Sequence, residues 1–201
     1  MPALVGEIQA MPAPTSQRVV FTFGTATSIV VKNPMVVDMT AVENLRFCFA
    51  SCLALTSLTL PEGFGSNATN LESCFSSCLA LTSLTLPEGF GSNATNLSNC
   101  FAYCSSLTSL TLPAGFGSNA TNLEYCFDKC NALTDITGNP NFKVSVRLSG
   151  STKLTHDSLM TIINGLQTVT GTQTLTLGST NLAKLTKEEK RIATDKGWTL
   201  A

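Results

Sequence analysis

The chain repeats itself every 26 residues, and that period constrains its folding more than any other feature. From Asn44 the sequence reads NLRFCFASCLALTSLTLPEGFGSNAT, and from Asn70 it reads NLESCFSSCLALTSLTLPEGFGSNAT. Only positions 46, 47 and 50 differ from 72, 73 and 76. A third copy starts at Asn96 and a fourth at Asn122, which diverges after Thr134. Phe64, Phe90, Phe116 and Phe142 hold the register without an insertion. A unit this short cannot bury an apolar side alone, whereas stacked units form one continuous core.

Each unit carries two periodicities. In the second copy Leu71, Cys74, Phe75 and Cys78 fall at i, i+3, i+4 and i+7, which predicts one face of a helix. Thr69 with Glu72, and Thr121 with Glu124, have capping-box spacing at its start. Leu81, Leu84 and Leu86 follow L-x-x-L-x-L, a short strand with alternate residues inward. Pro87 ends the strand because it cannot donate to a ladder. Gly89 and Gly91 then turn the chain around Phe90, an inward plug.

The flanks read as closing units. Residues 1–17, with Pro12 and Pro14 and no apolar period, are expected to be a flexible arm. Residues 18–43 are expected to form an N-terminal cap, with alternation over 18–23 and an irregular first strand over 27–31. Residues 44–137 are the four repeats, the last one degenerate. Residues 138–201 read as C-terminal β/α capping units: strand 143–148, helix 156–166, strand 172–177. Thr186 and Glu189 start another helix with a capping box, Gly197 stops it near Lys196, and Trp198 and Leu200 share one side of a last strand.

Composition removes several function classes. Charged residues make up 12% of the chain, against about 25% in an average domain, and the net charge is −1. No field exists to hold nucleic acid by counterion release. Of twelve Lys and Arg, eight lie between Lys143 and Lys196 among acidic residues, a solvated surface and not a basic patch. No apolar run approaches the roughly 18 residues of a membrane span, and the first residues do not read as a secretory signal.

Eight cysteines form two columns, Cys48, Cys74, Cys100, Cys126 and Cys52, Cys78, Cys104, Cys130. They fall on the predicted buried stripe, no histidine accompanies them, and C-x-x-x-C on one helical face suits neither a disulfide nor zinc. They are expected to be reduced core thiols, so no metal or cofactor is called for. The lone histidine, His156, stands between Thr155 and Asp157 at a predicted helix start, where capping is the natural role. No nucleophile–base order, phosphate loop or paired carboxylate can be assembled, so no catalytic residue is expected.

Two surfaces remain for binding. Ser57, Thr59, Ser83, Thr85, Ser109, Thr111, Asp135 and Thr137 are expected on the outward strand face, neighbours about 4.8 Å apart between coils. Phe47, Tyr103 and Tyr125 stand where the copies vary and are the alternative contacts on the helix side. Asn67, Asn93, Asn119 and Asn96 open formal glycosylation triplets but are read as residues that turn the chain.

The run N-L-x-x-C-F-x-x-C-x-x-L-T-S-L-T-L-P, over residues 44–137, resembles the BspA-type leucine-rich repeats of bacterial surface proteins. The stretch from Leu175 also looks like the end of repeat proteins from gut bacteria and their prophages. The resemblance implies an α/β right-handed leucine-rich-repeat solenoid, with a parallel sheet on one face and short helices on the other. It further implies adhesion or recognition of a protein or glycan, on a cell surface or a phage particle. The competing expectation is a structural spacer, or an assembly subunit attached to a larger complex through the N-terminal arm or the caps.

Overall fold

The computed structural model describes residues 5–8, 28–31 and 42–201. Strands Val5–Ile8 (β1), Ser28–Val31 (β2) and Ser57–Thr59 (β3) form one parallel sheet in that order. Ser83–Thr85 (β4), Ser109–Leu112 (β5) and Asp135–Gly138 (β6) form a second. Ser83 pairs with Ser109 and Ser109 with Asp135, so the sheet register is the sequence period. The segment expected to be a free arm thus supplies a strand, and Val5–Ile8, not residues 27–31, stands outermost in the first sheet. The alternation over residues 18–23 lies outside the described residues.

The helix expected in every repeat is not there. Between the strands the chain makes consecutive tight turns, with Phe47, Ser51, Ser73, Ser77, Asn99, Tyr103, Tyr125 and Lys129 at positive φ. A left-handed residue at every fourth position places Leu71, Cys74, Phe75 and Cys78 on the inside, as a 3.6-residue helix would. Burial was therefore legible while the conformation was not. Three causes favour turns. The Asn opening each segment accepts from the N–H two residues on, as Asn70 Oδ1 does from Glu72 at 3.0 Å. Ser, Asn and Cys are poor helix formers, and a segment this short would be marginal as a helix. Above all, alternate backbone groups bond to the next coil: Leu71 N–H to Asn96 O at 2.8 Å, Ser73 to Ser98 at 2.9 Å, Phe75 to Cys100 at 2.8 Å and Ser77 to Ala102 at 2.8 Å. A helix would direct those donors to its own carbonyls.

The predicted capping boxes fail for the same reason. Thr69 Oγ1 donates to Glu43 O at 3.2 Å and Thr121 Oγ1 to Thr95 O at 3.1 Å, so both hydroxyls tie coils together. Asn93 and Asn119 turn the chain as expected, each amide donating at 2.8 Å to a carbonyl of the preceding coil, Ser66 and Ser92.

The core is a stack of columns. Phe49, Phe75, Phe101 and Phe127 follow one another at 5.4, 5.4 and 5.7 Å between centroids, nearly parallel. The plug column of Phe64, Phe90, Phe116 and Phe142 runs beside it, and Phe142 turns edge-on where the repeats end. Each such ring pair adds about 0.5–1.5 kcal/mol beyond its burial. Gly91, at φ 73, is needed for this approach: a Cβ there would lie 2.8 Å from the Phe116 ring. All eight cysteines are buried and free, and Cys78, Cys104 and Cys130 donate to Phe49 O, Phe75 O and Phe101 O at 3.1–3.2 Å.

After Phe142 strand and helix exchange sides. Val146–Arg147 (β7), Thr174–Thr176 (β8) and Thr199–Leu200 (β9) form a third parallel sheet, shorter than the expected segments. Helix His156–Asn164 (α1) covers β6, where a further strand would otherwise lie. Ser158 replaces that strand's backbone: its hydroxyl accepts from Ile136 N–H at 2.9 Å and donates to Thr134 O at 3.1 Å. Gly178–Leu182 (α2) and Lys187–Asp195 (α3) follow, and α3 packs on α1 and β9. The Thr186–Glu189 capping box forms as predicted, and Gly197, at φ 87, ends the turn. Thr155, not His156, caps α1.

Candidate functional site

The strand face turns the expected hydroxyls outward. Inward Leu58, Leu84, Leu110 and Ile136 alternate with them, so the pleat aims each Ser and Thr at solvent. Ser57, Thr59, Ser83, Thr85 and Thr137 are exposed, while Ser109, Thr111 and Asp135 are half-buried. Toward β6 their hydrogen-bonding capacity is partly used. Thr111 and Thr137 pair through their hydroxyls at 3.1 Å, and the Asp135 carboxylate accepts from Thr134 at 2.7 Å. Between β3 and β4 the ladder is interrupted, with Thr82 N–H reaching Thr56 O only at 3.5 Å. A shallow groove of about 330 Å³ opens there, lined by Ser57, Thr59, Ser83 and Thr85.

The other expected contacts lie on the turn side, all at left-handed positions. Phe47 is half-buried with the Arg46 guanidinium 4.7 Å above its ring, and Arg46 also meets Glu72 at 2.8 Å. Tyr103 and Tyr125 are 50% and 45% exposed and occupy different columns, so the three aromatics form no single patch. Tyr125 instead lines a second cavity, of about 420 Å³, where the fourth turn segment meets β7 and β8. Glu124, Arg147 and Gln173 share its wall. Nothing in the repeat marks Arg147 or Gln173; they reach Tyr125 only because the C-terminal units dock there.

The remaining reactive groups are structural in their surroundings. Burial pushes the Cys130 thiol up to about 12, helped by neighbouring Cys126, and also raises Cys100 and Cys126. The Cys52 thiol is raised chiefly by its contact with Cys78 in the next coil. Such thiols stay protonated and poorly nucleophilic. Among the described residues no group of three or more His, Cys, Asp or Glu is placed to hold a metal. His156 Nε2 lies 2.9 Å from Glu189 Oε1, joining α1 to α3, and that contact raises its pKa. The nearby Ser158 hydroxyl is buried and engaged at the β6 edge. No described helix is long and apolar enough to cross a membrane.

Comparison with known proteins agrees with this coil. No curated protein matches the chain. Among solved structures, it is similar to a leucine-rich cell surface protein from Faecalibacterium prausnitzii A2-165, with 23% identity and a TM-score of 0.44. That match covers 67% of this chain and 31% of the other, so this chain spans about a third of that relative. A leucine-rich repeat protein of T. pallidum matches at 18% identity with a TM-score of 0.39, covering 71% of this chain and 84% of that one. The model of the BspA-type leucine-rich repeat region matches residues 43–170 in six copies, through the four intact repeats and on across α1. The chain belongs to the BspA-type leucine-rich repeat family.

Proposed function

We propose that this chain is a non-enzymatic recognition module that presents its strand face to a protein or glycan ligand at a bacterial surface or on a phage particle. In this reading the stacked coils form a right-handed solenoid, closed at its ends by the flanking units. The observation that carries it is the in-register row of outward Ser and Thr, with free capacity around the β3–β4 groove. Small hydroxyls on a rigid sheet offer flat hydrogen bonding at little cost in side-chain entropy. Family membership supports a surface setting, because the repeat belongs to a family of surface proteins, while the fold alone leaves the ligand open.

Changing Thr59, Thr85 and Thr111 to Lys tests the face directly. Binding of the intact protein to bacterial or host cells, or to a glycan array, should fall at least tenfold while the melting temperature holds. Unchanged binding would remove the strand face as the site. Attachment to a larger assembly through residues 1–17 is the weaker reading, since Val5–Ile8 is already engaged in the sheet with Ser28–Val31.

A further inference from the structure

In each of the first three copies, N–H groups of the turn segment donate to the next coil, as Leu97 does to Asn122 O and Asn99 to Glu124 O, both at 2.9 Å. The fourth copy has no following turn segment. Its equivalents, Leu123 and Tyr125, have N–H groups with no acceptor among the described residues, and both residues line the 420 Å³ cavity. On the same wall Gln173 has a buried side-chain oxygen without a hydrogen-bond partner. A buried polar group left so costs about 1–3 kcal/mol, and natural structures seldom carry one without a reason. The half-exposed Tyr125 ring stands beside them, with Arg147 and Glu124 contributing one charge of each sign.

From this arrangement we propose that the cavity between the fourth repeat and the β7–β8 strands binds a neutral N-acetylated saccharide. The inference rests on the reading of the chain as a recognition module but places a second site away from the strand face. An acetamido group brings the two partners the cavity lacks: a carbonyl oxygen for the Leu123 and Tyr125 donors, and an N–H for Gln173. The sugar's C–H face stacks on Tyr125, where an aromatic ring offers area at low entropic cost. Opposed charges from Arg147 and Glu124 favour a neutral ligand over an anion. An extended peptide would also offer C=O and N–H groups, but it needs a longer donor row. Past Tyr125 that row is covered, because Phe127 is buried and Gly150 packs over the Lys129 nitrogen, where an added Cβ would lie 3.7 Å away. The open length suits a sugar ring. The volume lies in the range of small-ligand sites, about 300–1,000 Å³.

The full chain, labelled with ¹⁵N, would be titrated with N,N′-diacetylchitobiose by NMR and calorimetry, with cellobiose as the sugar lacking acetamido groups. The Leu123 and Tyr125 amides and the Gln173 side chain should shift together. Tyr125→Asn, which tolerates the left-handed backbone, and Gln173→Met should each weaken binding about tenfold, near 1.4 kcal/mol. Neither should lower the melting temperature, and the triple Lys variant of the strand face should bind the disaccharide normally. Three results would overturn the assignment: no shift at these amides, equal binding of cellobiose, or an extended tetrapeptide shifting them where the disaccharide does not. Loss of disaccharide binding on changing the strand face alone would also overturn it. Failure here leaves the strand-face test standing, since the two use different variants and different ligands.

Discussion

Residues at left-handed positions explain why the copies vary where they do. Positions 47, 73, 99 and 125 hold Phe, Ser, Asn and Tyr, and positions 51, 77, 103 and 129 hold Ser, Ser, Tyr and Lys. These eight are the non-glycine residues at positive φ among the described residues. An L-residue in that region costs roughly 1–2 kcal/mol, and no particular side chain removes the cost, so identity drifts while backbone shape persists. Glycine is free of that strain but loses more entropy on folding, roughly 0.5–1 kcal/mol. Tyr103, half-exposed, has little packing to forfeit. Tyr103→Gly should raise stability by about 0.5–1 kcal/mol and Tyr103→Val should lower it, read from urea midpoints at constant slope. Equal midpoints for the Gly and Val variants would refute a left-handed backbone at this position.

At the scale of elements, the main question is how a stack of parallel strands ends without an open edge. Unpaired strand edges recruit other chains, and covering them with a helix is one remedy. Here α1 does so, and Ser158 supplies from a side chain the hydrogen bonds that β6 would have made with another strand. Ser158→Ala should leave the Ile136 N–H buried without its acceptor and cost about 1–3 kcal/mol. Amide exchange at Ile136 should accelerate more than at Leu110, which lies one strand inward. Unchanged exchange at Ile136 would mean that α1 covers the edge by packing alone. The sequence showed the helix and its Thr155 start, but not that the helix would take the place of a strand.

For the whole molecule, a stack in which each coil touches its neighbours opens from its ends or in cooperative blocks. The cysteine columns run the length of the four repeats and report on that opening. With thiols buried and held protonated, native protein at pH 8 should resist an aromatic disulfide reagent at all eight positions. Labelling should follow the urea unfolding transition, with Cys52, 6% exposed at the first repeat, reacting earliest. Stoichiometric labelling of the folded chain would contradict their place in the core.

The sequence by itself determined the period, the inward set and the outward set. Leu, Cys and Phe columns, the proline stops and the Ser/Thr ladder all recur at fixed offsets, and a stack translates each offset into a column. Family membership was likewise legible in the NLxxCFxxC run. Tertiary structure alone decided the conformation between the strands. A four-residue turn period and a 3.6-residue helix bury the same positions, and only hydrogen bonding to the next coil selects the turns. It also decided the cavity at Tyr125, whose partners Arg147 and Gln173 lie 22 and 48 residues further along the chain. No local pattern links them, because what joins them is the place where the repeat's donor row ends and the next unit docks.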